Sequence, residues 1–154
     1  MSREILFRGK SKEDYGLIYK KGDWVQGNLI EGVGGKDDYY INPKGTLINI
    51  RVEAETVGQY TNAVDCNKKK VFEGDLIQNK DGKNVIGVVE WYKSECRFVA
   101  KINIPNEEIN CFEVIGNKWD NPELAEKILD FYNEYERNNK WHSLMKKLRK
   151  ILNY

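Results

Sequence analysis

Few residues of this chain have the types and spacing that chemistry needs. Three cysteines (Cys66, Cys96 and Cys111) and one histidine (His142) are scattered through 154 residues. No Cys-x-x-Cys pair occurs, so neither a structural zinc site nor a dithiol redox motif is spelled out. Odd, widely spaced cysteines suit reduced thiols inside a cell rather than a disulfide framework. Ser94 and Cys96 have no identifiable base, since the strand-rich part of the chain contains no histidine. The carboxylate pairs Asp37-Asp38 and Glu107-Glu108 fall in loops, where nothing fixes a catalytic separation. These residues predict a protein that is not an enzyme, with no metal site and no cofactor.

Binding residues are better represented. Lys146, Lys147, Arg149 and Lys150 lie opposite Leu144, Leu148 and Ile151 on helical spacing, which makes a basic amphipathic helix. Such a helix suits an acidic partner, a membrane surface or a nucleic-acid backbone; its bland reading is a helix packed on the body or on another subunit. Tyr60, Trp91, Tyr92 and Phe98 would make a stacking surface for single-stranded nucleic acid if their rings face out. Packing within a sheet is the competing reading for the same rings. The glycine-rich run Gly32–Asp38 lacks the spacing of a phosphate loop and no helix follows it, so it reads as a hairpin tip.

The elements that must position these residues are mostly strands. Glu4–Arg8, Leu17–Tyr19, Trp24–Ile30, Tyr39–Ile41 and Leu47–Val52 alternate or run apolar between turn signals. Glu73-Gly74-Asp75 is a tight polar turn between the apolar pairs Val71-Phe72 and Leu76-Ile77. Asp81-Gly82 and Lys93-Ser94-Glu95 are hairpin signals flanking the long strand Val85–Tyr92, with Arg97–Ile102 as its partner. Cys111–Ile115 reads as a last strand ended by Gly116. Asn121-Pro122-Glu123 then opens a helix, with an N-cap candidate, proline at the first position and acids in the first turn. Leu124 and Ile128 fall on one face of it. Six acids and one lysine lie between Asp120 and Glu136, and six bases with no acid between Arg137 and Lys150. That order suits the helix dipole and also antiparallel pairing with a second copy. One long helix and two helices broken near Asn138 are both compatible with the pattern.

Many short strands without intervening helices predict an α+β fold, mainly antiparallel, with small barrels including an SH3-like unit and a C-terminal amphipathic helix or helix pair. The expected divisions are residues 1–57, an N-terminal β-unit, 58–119, the SH3-like unit, and 120–154, the helical arm. Lys+Arg 25 against Asp+Glu 24 gives a net charge of +1, which exerts no bulk pull toward nucleic acid or anionic membrane. No apolar run approaches membrane-spanning length. The chain is therefore expected in the cytoplasm.

Six segments resemble the YopX family of phage and prophage proteins. They are Arg3–Gly9, Trp24–Ile30, Glu55–Thr61, Val71–Ile77, Gly87–Trp91 and Phe112–Leu124. Thr56–Thr61 (TVGQYT), the Glu73-Gly74-Asp75 turn and the join from Val114-Ile115-Gly116-Asn117 to Asn121-Pro122-Glu123-Leu124 carry the resemblance. It implies a fold and a bacterial-host setting, with no catalytic residues. Relatives often carry glycine after the threonine and beside the asparagine of the following loop, where this chain has Asn62 and Lys68-Lys69. The basic end after Arg137 lies outside the resemblance. Gly58, Glu73, Gly74 and Asp75 are expected to build a structural join between two β-units. The functional expectation is a non-catalytic, homo-oligomeric binding or assembly module that could also take a protein partner; nucleic-acid binding is the alternative.

Overall fold

The computed structural model describes residues 3–32, 35, 38–80, 85–100, 111–130, 133–134 and 137–138. The chain divides into two compact units, Met1–Gly74 and Asp75–Tyr154. The α+β class and its antiparallel character are as the sequence predicts.

The first unit is built on strands β1 (Phe7–Lys10), β2 (Trp24–Glu31), β3 (Tyr39–Asn42), β4 (Ile50–Val52), β5 (Gly58–Val64) and β6 (Lys70–Phe72), with a 3-10 turn at Ala54–Thr56. They form one antiparallel sheet in the order β4-β3-β2-β1-β5-β6. Period-two patterning sets the inward face of β2: Val25 is buried while Gln26 and Asn28 are exposed. Val25, Ile41, Ile50 and Val52 form the main core, lined by Tyr15, Tyr19, Leu29, Tyr39 and Val57. Leu6, Tyr60 and Phe72 form a second, smaller cluster. β2 and β3 pair up to Glu31↔Tyr39, and Gly32 N–H donates to Asp38 O (3.0 Å); most of the glycine-rich run expected as a hairpin tip lies outside the described residues.

The second unit has β7 (Asp75–Asn79), β8 (Val85–Tyr92), β9 (Arg97–Ala100) and β10 (Phe112–Asn117), in the order β10-β7-β8-β9. The chain is then helical over residues 122–130 and again at 133–134 and 137–138. We call this helix α1. Its Leu124, Ala125 and Ile128 pack with Leu76, Val88 and Ile115, the sheet-facing stripe that the sequence spacing predicts. Asn117 holds the join. Its Oδ1 accepts from the N–H groups of Trp119 (3.1 Å) and Asp120 (2.9 Å), and its Nδ2 donates to Asp120 Oδ2 (2.7 Å). The Asn121 carbonyl accepts from Ala125 N–H (3.1 Å), which starts the helix, while its side chain accepts from Asn117 N–H (3.3 Å).

Several expectations need correction. The strands do not form small barrels: among the described residues both sheets are open. The end of β4 does meet the residues after β1, through the bridge Ser11↔Val52 and the bonds Lys12 N–H to Arg51 O and Glu53 N–H to Lys10 O (2.9 Å each). That contact is one bridge long, and β5 and β6 continue past β1 as an open flank. The chain then leaves this sheet at Glu73-Gly74, and β7 pairs in the other one, so among the described residues no strand returns to close either. The expected boundary at residues 57/58 falls inside the first unit, because Gly58 and Gln59 pair with Arg8 and Phe7 of β1.

Local readings also shift. Leu17–Tyr19 is a turn, closed by the Tyr15↔Tyr19 bridge and by Asp14 and Asp23, which accept from the Lys21 and Lys20 N–H groups (2.8 and 2.7 Å). The strand expected from Leu47 begins at Ile50, because the Asn42 amide donates to Ile48 O (2.8 Å) and holds that segment as a loop. Gly116 lies inside β10, beside a register shift, rather than at its end.

Candidate functional site

The turn residues come first, because they bring together two distant motifs. Thr56 Oγ1 accepts from Lys10 N–H (2.8 Å) and donates to Glu53 O (2.7 Å), which fixes the entry to β5. At Gly58 a Cβ would stand 2.7 Å from the Glu73 carbonyl oxygen, so only glycine lets the two backbones approach. Glu73 N–H donates to Gln59 O (2.9 Å), and Arg8 Nη2 donates to Glu73 O (3.2 Å). The Arg8 guanidinium lies over the rings of Trp24 (4.7 Å) and Phe72 (4.9 Å) and is 7% exposed. Gly74 takes φ 82°, where glycine pays no steric cost, and Asp75 is 1% exposed. Within the first unit, Gly58, Glu73 and Arg8 therefore form a tight approach between the start of β5 and the turn that ends β6.

The candidate stacking residues separate. Tyr60 is 6% exposed, with its ring 5.5 Å from that of Phe72 and the Lys70 ammonium 5.0 Å from its centroid. It is a core residue and offers no face to a base. Trp91 and Tyr92 are exposed, at 41% and 46%. Trp91 stands directly across from Phe98 in the β8–β9 ladder, and their rings meet edge to face, centroids 5.0 Å apart at 70°. Among the described residues, the exposed aromatic surface is thus the tip of one hairpin.

The family described as YopX protein matches residues 6–126. The chain belongs to the YopX family. No curated protein matches it. The matched span takes in the turn after β6, the ten described strands and the start of α1. In this YopX-family chain Asn62 and Lys68, neither of them glycine, have φ 66° and 64°. Asn62 Oδ1 accepts from Glu4 N–H (3.0 Å), and Asp65 Oδ1 accepts from the N–H groups of Asn67 and Lys69 (2.8 Å each), so side chains shape this loop.

The basic residues Lys146, Lys147, Arg149 and Lys150 lie outside the described residues and beyond the family match. Whether residues 121–153 form one helix or two also falls there.

Sequence reading missed the charge cluster around Glu4. Its carboxylate accepts from Lys44 Nζ (2.5 Å) and Lys70 Nζ (2.6 Å), partners 40 and 66 residues away. Those hydrogen bonds hold the Glu4 pKa down at about 2, against an ordinary 4.5. Arg51 on β4 likewise pairs with Asp38 at the hairpin tip, which raises the guanidinium pKa. No local signal marks either cluster, because tertiary pairing alone creates them.

Among the described residues, no group of three or more His, Cys, Asp and Glu could hold a metal, and no helix is long and apolar enough to cross a membrane. Cys66, Cys96 and Cys111 form no disulfide.

Proposed function

We propose that this YopX-family protein is a phage- or prophage-encoded binding or assembly module that acts in the bacterial cytoplasm as an oligomer, without catalysis. The observation that carries the reading is the exposed aromatic tip of the β8–β9 hairpin. Trp91 and Tyr92 are the residue types that anchor protein interfaces, and at 41% and 46% exposure their rings are within a partner's reach. The charge-segregated sequence from Asp120 to Lys150 supports the same reading. The SH3-like likeness of the stretch from Val71 to Trp91 belongs to this proposal as a sequence pattern, since small modules of that kind are commonly binding units.

Sedimentation of the full chain over a concentration series tests the reading. A mass above the monomer is expected, and a monomer at every concentration rejects it. Deleting the arm at Asn121 is a poor control, because Leu124, Ala125 and Ile128 cover the second sheet. Reversing Lys146, Lys147, Arg149 and Lys150 to Glu probes the arm without uncovering that core.

A second reading, nucleic-acid binding, is favoured by the exposed Trp91 ring together with the basic residues 146–150. It no longer includes Tyr60. It requires retention on single-stranded DNA that weakens steeply with salt and is lost in the charge-reversed variant. Absence of any low-salt shift rejects it.

A further inference from the structure

We infer that the tip of the β5–β6 hairpin is a nucleic-acid contact that holds the phosphate backbone through Lys68 and Lys69. The inference rests on the nucleic-acid reading above and extends it to the first unit, using neither Trp91 nor residues 146–150. Lys68 and Lys69 are exposed, and neither side chain makes an ion pair with a described residue. The loop's one acid, Asp65, is 5% exposed, and its Oδ1 is committed to the N–H groups of Asn67 and Lys69. Beside the tip, a single carboxylate, Glu4, serves both Lys44 and Lys70. Lys44, Lys68, Lys69 and Lys70 against Glu4 and Asp65 leave a surplus of two positive charges in this cluster. Surplus cations are what a polyanion needs.

The tip is also held in shape. Asp65 N–H donates to Lys69 O and Lys68 N–H to Asp65 O (2.9 Å each), so the two lysines give up little freedom on binding. Lys68 sits at φ 64°, where lysine is strained and glycine is not, and an exposed cation at such a position points to use of its side chain. An ammonium is a point charge without the fork of arginine, which suits phosphate oxygens rather than base edges. Lysine is depleted from protein–protein interfaces, and this tip has no aromatic anchor for one. Its exposed apolar side chains, Ala63 and Val64, are too small to anchor in a bilayer.

The test uses the full chain, short single- and double-stranded DNA of arbitrary sequence, and two double variants. Lys68→Gly with Lys69→Ser removes both charges and relieves the loop; Lys68→Arg with Lys69→Arg keeps both charges. A thermal melt at or above the wild-type midpoint verifies the fold of the neutral variant. Wild type is expected to be retained at low salt whatever the sequence. In the neutral variant the slope of log affinity against log salt should fall by about 1.5–2, one phosphate contact per lysine, while the arginine variant keeps the wild-type slope. A slope unchanged in the neutral variant, with binding lost only when Lys146, Lys147, Arg149 and Lys150 become Glu, overturns the inference and leaves the nucleic-acid reading standing. A wild-type chain with no low-salt retention on either DNA overturns both. Retention on phosphatidylserine vesicles and on neither DNA overturns both in favour of a lipid surface.

Discussion

At the residue scale, individual side chains compensate for backbone or charge problems that the sequence does not advertise. Glu4 is the clearest case. A carboxyl whose pKa is depressed on folding adds stability above its unfolded pKa, and loses it as pH falls through the folded value. For Glu4 the contribution is full above roughly pH 4.5 and gone below about 2. Glu4→Gln should therefore flatten the acid limb of the stability profile in that window and lower neutral-pH stability by the same small amount, since the pair is solvent-accessible and the two profiles converge only at the acid end. Thermal melts of both proteins across the window check it; parallel profiles count against the Lys44–Glu4–Lys70 bridge. Lys68 and Asn62 make a contrasting pair. Both occupy the left-handed region, but Asn62 hydrogen-bonds there through its side chain, which accepts from Glu4 N–H, whereas Lys68 does so through its backbone N–H, which donates to Asp65 O (2.9 Å). Lys68→Gly should stabilise by roughly 0.5–1 kcal/mol, the strain relieved less the entropy glycine adds to the unfolded chain. Asn62→Gly should gain nothing, or lose up to about 1 kcal/mol with its hydrogen bond. Urea midpoints of the two variants give the comparison.

At the element scale, the turn that ends β6 depends on close backbone approach to β5. Gly58→Ala forces a methyl to within 2.7 Å of Glu73 O. Either β5 or the turn must shift, at a cost of about 1–3 kcal/mol. Chemical denaturation should show this loss, and a wild-type midpoint would mean that the approach can relax. This junction was largely legible in the sequence: the glycine, the flanking apolar pairs and the polar turn were all on the page. Its depth was not. Arg8 lies 65 residues before Glu73, and nothing local to Arg8 says that it will sit between Trp24 and Phe72. The same limit explains the strand errors. Leu17 and Leu47 are apolar and alternate suitably, but each is almost fully exposed. Hydrogen bonds to the Asp14 and Asp23 carboxylates and from the Asn42 amide hold those segments as turns, and periodicity cannot see such competition.

At the scale of the whole molecule, each unit has its own core, so their stabilities are separable by mutation. Phe72→Ala removes the ring that packs on Tyr60 and Arg8, at a cost of about 3–5 kcal/mol. Leu76→Ala opens the cluster shared with Val88 and Ala125, at about 2–5 kcal/mol. Native-state amide exchange should show the first loosening mainly β5 and β6, and the second mainly β7 and β8. Equal loosening of both units by either change would mean that they unfold as one.

The sequence by itself determined the class, the family, the start of α1, the apolar stripe that packs it and the turn at Glu73-Gly74-Asp75. These follow from spacing, capping chemistry and glycine placement, all of which act over a few residues. Tertiary structure decided the sheet order, the division after Gly74, the burial of Tyr60 and the exposure of Trp91. Both rings sit in strands with similar neighbours. Tyr60 faces Phe72 because β5 lies between β1 and β6, whereas Trp91 lies near the tip of the β8–β9 hairpin. Which ring is covered depends on strand partners contributed by distant parts of the chain, and no local pattern encodes that.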